Sequence, residues 1–256
     1  GGELALTTSH KSYRPVTSLT YRMQVQWIGN NIGASSKGIG RVNDLAVKRS
    51  LHLCNVLTFG AVTVCFYAVC LVVMSGRSPF AALFSGSRAK RSTSSQSPEF
   101  MAAVAAFFFA VHPIHTEAVA CLVGRCEILA GFFFLLSTLA YEQSSPLIIR
   151  GEGGSLGGGD LVPITTVIVR LAWHILAGFL SFISMLCKEQ GITVIAIWIL
   201  CDIFHIASAV SRDNDMAYRP WRNIFAKCLA QCLRHILTIA MLIASLSFRV
   251  WISGGY

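Results

Sequence analysis

The chain alternates between long apolar runs and polar stretches, and this pattern predicts a bundle of membrane-spanning helices. Residues 53–74 form the longest run without a charge, and a helix needs about 20 apolar residues to cross a bilayer. The intervening stretches are rich in Gly, Ser, Lys and Arg, as loops are. Helical crossings are predicted at about residues 53–74, 100–111, 128–141, 164–186, 191–206 and 228–248.

Composition favours the same fold class. Of the 256 residues, 54% are hydrophobic and 13% are charged, whereas about a quarter of the residues in a soluble domain are charged. The net charge of +9 is explained by basic loops that lie against anionic lipid. The basic stripe interleaved with aromatics that nucleic-acid modules use is absent from the sequence. We therefore expect an all-α polytopic membrane protein whose partner is membrane lipid and not nucleic acid.

The apolar pattern divides the chain into three parts. Residues 1–51 are predicted to be a loop segment, residues 52–250 the transmembrane helical domain, and residues 251–256 the start of the next segment. Within the first part, Pro15 predicts extended or turn backbone followed by a short helix, and residues 32–44 read as a flexible loop. The chain begins Gly-Gly without Met, so we interpret it as an internal piece of a longer protein.

The most polar interruption of the apolar pattern is the stretch 110–127, which reads AVHPIHTEAVACLVGRCE. Pro113 cannot continue an incoming helix but suits the start of a new one. The stretch therefore predicts a short helix over residues 113–123, lying in the membrane interface and ended by Gly124. Its apolar side is predicted to comprise Ile114, Ala118, Val119, Leu122 and Val123.

Alternation of the crossings predicts which loops share a side of the membrane. Residues 1–51, 112–127 and 187–190 fall on one side, together with the residues after 248. Loops 75–99, 142–163 and 207–227 fall on the other side. When the long segment 1–51 is left aside, these loops carry nine Lys and Arg residues and the first side carries three. Because basic loops stay in the cytoplasm, the first side is predicted to be non-cytoplasmic.

Four segments, in order along the chain, resemble those of one known family. They are SYRPVTSLTYR at residues 12–22, HPIHTEAVA with the following GRCEIL within 110–129, LCKEQGIT at 186–193, and FRVWISGG at 248–255. They resemble the transmembrane and tetratricopeptide-repeat-containing family, which are protein O-mannosyltransferases of the endoplasmic reticulum. HLCNVL at residues 52–57 is similar to a further family segment, although Phe59 stands where a second His is usual.

The resemblance implies a fold similar to the GT-C-type glycosyltransferases. It implies transfer of mannose from dolichyl-phosphate mannose to Ser or Thr of luminal or secretory-pathway proteins. It also implies a multi-pass protein of the endoplasmic reticulum membrane, with residues 1–51, 112–127 and 187–190 in the lumen. The family's acidic pair precedes the segment that matches residues 12–22, and its helical repeats follow the membrane part. We therefore expect this chain alone to be inactive.

With this reaction in view, the polar residues near the luminal face become site candidates. A departing phosphate needs cationic stabilisation, and Arg makes paired hydrogen bonds to phosphate. The acceptor hydroxyl needs a carboxylate or another general base within hydrogen-bonding distance. We predict donor phosphate-binding by Arg125, Lys188, His112, His115 and Arg14, catalytic roles for Glu117 and Glu127, and support from Glu189 and Tyr13.

Structural roles for the same residues remain open. His112 and His115 could instead cap the break at Pro113, or ligate a metal with Glu117, although a third strong ligand is lacking. We expect no metal and no cofactor. Glu117 could pair with Arg125 or Lys188, Lys188 could pair with Glu189, and Arg14 and Tyr13 could only anchor their segment. Arg234 and His235 are predicted to line the bundle interior.

Two further alternatives concern the cysteines and the function. The nine cysteines read mostly as small buried hydrophobes, but Cys121 and Cys126 could form a disulfide in an oxidising lumen. As to function, the alternatives are a polytopic transporter or channel subunit and a catalytically inactive membrane scaffold. No pair of broken helices typical of inverted-repeat transporters is evident in the sequence.

Overall fold

The computed structural model describes residues 14–31, 44–75, 97–144, 164–212 and 221–252. Every regular element within these ranges is helical, which confirms the predicted all-α class. Two 3-10 turns, Leu122–Gly124 and Glu189–Ile192, connect neighbouring helices. The α-helices are α1 (Pro15–Asn31), α2 (Asp44–Met74), α3 (Pro98–Val111), α4 (Ile114–Ala120), α5 (Arg125–Ser144), α6 (Ile164–Cys187), α7 (Thr193–Arg212) and α8 (Trp221–Ile252).

Among the described residues, four helices are long and apolar enough to cross a membrane. A fifth crossing is possible if α3 and α4, which are bent by 62° at their junction, form one broken span. α3 alone is about 21 Å long at ~1.5 Å per residue, shorter than the ~30 Å hydrocarbon core. Side chains of α7 are described only as far as Ile203. The protein is thus a multi-span membrane protein, and the number of six crossings stays a prediction. The four spans are Val47–Met74, Leu122–Ser144, Val167–Cys187 and Cys232–Ile252.

The first part of the chain is more helical than predicted. Residues 1–51 were expected to be a loop segment, yet α1 occupies 17 residues of it and α2 begins at Asp44. The short helix predicted after Pro15 is confirmed as α1. The expectation of extended or turn backbone at Pro15 itself is wrong, because Pro15 is the first residue of α1, where a missing N–H costs nothing. The carbonyl of Arg14 accepts the helix's first hydrogen bond, from Ser18 N at 3.1 Å. Residues 32–43 of the predicted flexible loop lie outside the described residues.

The central break forms where Pro113 predicted it. α3 ends at Val111 and α4 begins at Ile114, but α4 ends at Ala120, and a 3-10 turn covers Leu122–Gly124. A Cβ atom on Gly124 would overlap the backbone of Ala118. The tight return of the chain onto α4 therefore requires glycine at position 124.

The densest packing joins α5 to α6 through small polar residues. Ser137 Oγ donates to the carbonyl of Ala177 at 2.8 Å, and Ser184 Oγ donates to that of Ala130 at 2.8 Å. Hydroxyls that bond across helices satisfy themselves in an apolar medium and let the backbones approach. Near the opposite end of α5, the rings of Tyr141 and Trp198 stack at 4.7 Å and form the buried core with α7.

Candidate active site

One end of the bundle gathers charged side chains from four separate segments. Lys188 Nζ lies 2.7 Å from Glu127 Oε1, which joins the end of α6 to the first turn of α5. Glu189 pairs with Arg249 near the end of α8, and its other oxygen lies 4.0 Å from Arg14 Nη2. We call Arg14, Glu127, Lys188, Glu189 and Arg249 the charged cluster. The segments that topology assigned to one side of the membrane therefore contact one another.

The charged cluster is open to solvent and easily rearranged. The side chain of Glu127 is 52% exposed and that of Glu189 is 43% exposed, whereas those of the three cations are 18–28% exposed. Exposed ion pairs contribute only about 0–1 kcal/mol each, so the cations can exchange a carboxylate for another anion at little cost. Three cations against two carboxylates leave a formal charge of +1, which favours an anionic ligand.

Arg14 has the least complete set of partners in the charged cluster. Its Nη1 donates to Cys126 Sγ at 3.1 Å, and sulfur is a weak acceptor. Its Nε is buried and has no hydrogen-bond partner in the described part of the chain. With Glu189 at the outer limit of an ion pair, Arg14 retains donors for a ligand oxygen.

Lys188 and Glu189 do not pair with each other, so that alternative is wrong. Lys188 has extended backbone, with φ −153° and ψ 138°, and successive side chains of an extended segment point to opposite sides. Lys188 thus turns towards Glu127 on α5, and Glu189 turns towards Arg249 on α8. The polar turn links three helices instead of closing on itself.

Arg125 is a buried structural node in this arrangement. Its side chain is 2% exposed, Nε donates to Asn55 Oδ1 at 2.8 Å, and Nη2 donates to the carbonyl of Leu51 at 2.9 Å. Its guanidinium lies 4.3 Å from the centre of the Tyr21 ring. As placed, Arg125 ties α5 to α2 and α1 and does not present its charge to solvent.

Tyr21 and Asn55 extend this node to the turn that follows α4. The Tyr21 hydroxyl donates to the carbonyl of Leu122. Burial raises the pKa of Tyr21, so the phenol stays protonated and able to donate. Asn55 Nδ2 lies 3.4 Å from the carbonyls of Val119 and Cys121. These contacts hold α4 and its 3-10 turn against the rest of the bundle.

The histidines of the central stretch lie at the break itself. His112 Nδ1 accepts a hydrogen bond from the Ile114 N–H at 3.3 Å, as predicted for a cap. The His115 ring packs 5.0 Å from the Phe59 ring and 4.5 Å from the Phe109 ring. Phe59 is therefore a packing partner of this turn.

Glu117 stands apart from the charged cluster. It is exposed on α4, and the alternative that it pairs with Arg125 or Lys188 is wrong, because both cations bond elsewhere. Among the described residues, His, Cys, Asp and Glu side chains form no group of three that could hold a metal ion. Cys121 and Cys126 are both free thiols. Tyr13 lies outside the described residues.

A second polar cluster lies within the bundle and does not include the residues of the charged cluster. Asp202 Oδ1 is 3.2 Å from Arg234 Nη2, and Asp202 Oδ2 is 3.6 Å from His235 Nδ1. The Arg234 guanidinium also covers the Tyr141 ring at 4.1 Å. The prediction that Arg234 lines the interior is confirmed. Sequence reasoning missed Asp202, although an acidic residue within an apolar run is the signal that points to it.

Comparison with known proteins gives the function of relatives. The protein O-mannosyl-transferase TMTC4 of Mus musculus is 33% identical over 206 residues, which are 80% of this chain and 23% of that protein. TMTC3 of the same organism is 33% identical over 204 residues, 80% of this chain and 16% of that protein. TMTC1 of Homo sapiens is 29% identical over 221 residues, 86% of this chain and 20% of that protein.

The matched region covers most of this chain and a small part of each relative. The chain spans about a fifth of the length of the curated relatives it matches. No family profile matches it, and no solved structure does. The similarity confirms the family to which the four sequence segments pointed: this chain is a relative of the TMTC protein O-mannosyl-transferases.

Proposed function

We propose that the protein containing this chain transfers mannose from dolichyl-phosphate mannose to Ser or Thr of luminal or secretory-pathway proteins. The names of its relatives support the mannosyl transfer. The charged cluster is the single structural observation that carries the proposal. It brings three cations and two carboxylates together at one end of the membrane-spanning helices. Location in the endoplasmic reticulum membrane is part of the same proposal.

The position of the charged cluster suits a lipid-linked phosphate. The ends of spanning helices lie near the headgroup level, where the phosphate of a membrane-anchored donor also lies. When the mannose bond breaks, negative charge develops on the leaving phosphate, and preorganised cations stabilise it. Arg14 and Lys188 are the predicted phosphate ligands that lie in the cluster. Arg249, which was not among the predicted ligands, belongs beside them.

The remaining predicted residues take different places in this proposal. Glu127 is the carboxylate that can orient an acceptor hydroxyl beside Lys188, from which it lies 2.7 Å away. Arg125 has a positioning role: its hydrogen bonds to α2 fix the start of α5, which carries Glu127. His112 and His115 shape the break, and Glu117 is available on the exposed side of α4.

The test is mannose transfer by the purified full-length protein from dolichyl-phosphate mannose to an acceptor protein. We expect transfer by the parent and at least a tenfold loss in Lys188→Met with the fold intact. The matched control is Glu99→Gln, since Glu99 is an exposed charge in the first turn of α3, and its activity should equal that of the parent. Absence of transfer in the parent would refute the proposal. Transfer unaffected by Lys188→Met would keep the reaction and remove the charged cluster from the site.

A further inference from the structure

Helix α1 has an inverted distribution of polar and apolar residues. The side that faces the protein is mostly polar: Thr17 is 6% exposed, and the Tyr21 hydroxyl donates to the carbonyl of Leu122. The apolar Ile28, which is 2% exposed, also faces the protein near the end of the helix. Gln24 Nε2 donates to the carbonyl of Ser50 at 2.8 Å. A helix on the surface of a soluble protein has the opposite arrangement, with its apolar stripe turned inward.

The side of α1 that faces away from the protein carries an apolar stripe, which the exposed Arg22 and Gln26 flank. Leu19 is 56% exposed, Met23 is 60% exposed and Trp27 is 66% exposed. Residues spaced by four lie on one side of a helix, so these three side chains form a continuous stripe, which we call the α1 stripe. A row of large, exposed apolar side chains indicates a surface that contacts another protein or a membrane.

The contacts of α1 place it at the boundary of the membrane. Ser50 lies in the first turn of the candidate span Val47–Met74, and Leu122 is the first residue of the candidate span Leu122–Ser144. α1 therefore lies across the ends of two spans. About one turn beyond Ser50, Leu53 is 59% exposed on the span itself, so lipid-facing apolar surface begins next to the helix.

We propose that the α1 stripe inserts into the headgroup and acyl boundary of the same bilayer that the spans cross. The occupant of this surface is phospholipid. Trp is favoured at this depth because its ring is amphipathic. α1 contains no acidic residue, and its exposed Arg22 suits contact with lipid phosphate. The inserted helix holds Arg14, whose carbonyl starts α1, at the membrane surface together with the charged cluster.

The experiment reads the depth of the Trp27 indole by fluorescence. Full-length protein is placed at one copy per nanodisc, in phospholipids brominated either near the headgroup end or near the methyl end of the acyl chain. The difference between the parent and Trp27→Phe isolates the emission of Trp27. We expect at least twofold stronger quenching of that emission by the bromines near the headgroup end. The corresponding difference for Trp198→Phe, an indole that is 0% exposed, serves as the protected reference.

Three results would overturn the proposal. Quenching of Trp27 by aqueous iodide with no response to either brominated lipid would show that water covers the α1 stripe. Protection from both iodide and bromine would show that protein covers it. A second variant guards against a local effect of the Phe substitution: Met23→Gln should reduce the bromine quenching of Trp27. Unchanged quenching in Met23→Gln would also contradict insertion of the stripe.

Discussion

Replacing Arg125 with alanine should destabilise the bundle and not merely weaken binding at its surface. The side chain is 2% exposed and makes two hydrogen bonds, to Asn55 Oδ1 at 2.8 Å and to the carbonyl of Leu51 at 2.9 Å. Its guanidinium also stacks on Tyr21 at 4.3 Å. Arg125→Ala removes all three interactions and leaves the Asn55 oxygen buried without this donor.

The magnitude follows from these contacts. A buried acceptor that loses its partner costs about 1–3 kcal/mol, and a desolvated cation–π contact contributes about 2 kcal/mol. Relief from burying the guanidinium offsets part of this loss, since a buried charge is costly to desolvate. We expect a net decrease of about 3 kcal/mol in the free energy of unfolding. Arg125→Lys keeps the charge but not the planar fork, so it should lose about 1–2 kcal/mol.

The assay is unfolding of the full-length protein in mixed micelles with increasing SDS, followed by intrinsic fluorescence. Lys188→Ala is the matched control, because its exposed ion pair contributes only about 0–1 kcal/mol. Asn55→Ala alone and combined with Arg125→Ala closes a double-mutant cycle, in which we expect a coupling of about 1.5–3 kcal/mol. Parent-like stability of Arg125→Ala together with lost mannose transfer would show that Arg125 is a ligand-binding residue after all.

Three other substitutions test the packing and the two polar clusters. Gly124→Ala should lower the free energy of unfolding by about 1–3 kcal/mol, because its Cβ would overlap α4. Gly60→Ala should not lower the melting temperature, because a Cβ at that position would meet no atom of the described residues within 4 Å. Asp202→Asn should lower the free energy of unfolding by about 3–5 kcal/mol, because it leaves the buried Arg234 without its carboxylate partner. Adding Arg234→Met should restore part of this stability. Equal melting temperatures of the single and the double variant would contradict this pairing. Glu127→Gln should leave SDS resistance unchanged and slow mannose transfer at least tenfold, and an unchanged rate would exclude a role for this carboxylate.

The sequence pattern predicts most of the helices because their apolar runs are long and their interruptions are unambiguous. Pro113 marks the break between α3 and α4, since proline removes a donor and clashes with the preceding turn. For α1 the same reasoning predicted only a short helix after Pro15, because its outward apolar stripe reads neither as a span nor as a soluble amphipathic helix. The role of α1 depends on whether protein, lipid or water lies against each of its sides, and the periodicity of the sequence does not show this.

The pairing of charges within the candidate site could be predicted only in part. Residue types and topology bring Glu127, Lys188 and Glu189 to one face, but the extended backbone at Lys188 decides which of them meet. The charge of Arg125 suits a phosphate ligand, but the surrounding helices bury the side chain, which sequence alone does not reveal. Arg249 joins the cluster because the end of α8 lies beside Glu189, which sequence spacing does not specify.

The two ion pairs of α8 fix its position along the neighbouring helix α7. Arg234 and Arg249 are separated by about 22 Å along the helix axis at ~1.5 Å per residue, and their partners, Asp202 and Glu189, belong to α7 and the turn before it. One added residue between the two arginines would shift one end by ~1.5 Å and rotate it by about 100°, so both pairs could not form together. α8 is thereby held in register with α7, because sliding along its neighbour would separate the buried Arg234 from Asp202 in an apolar medium and draw Arg249 away from Glu189.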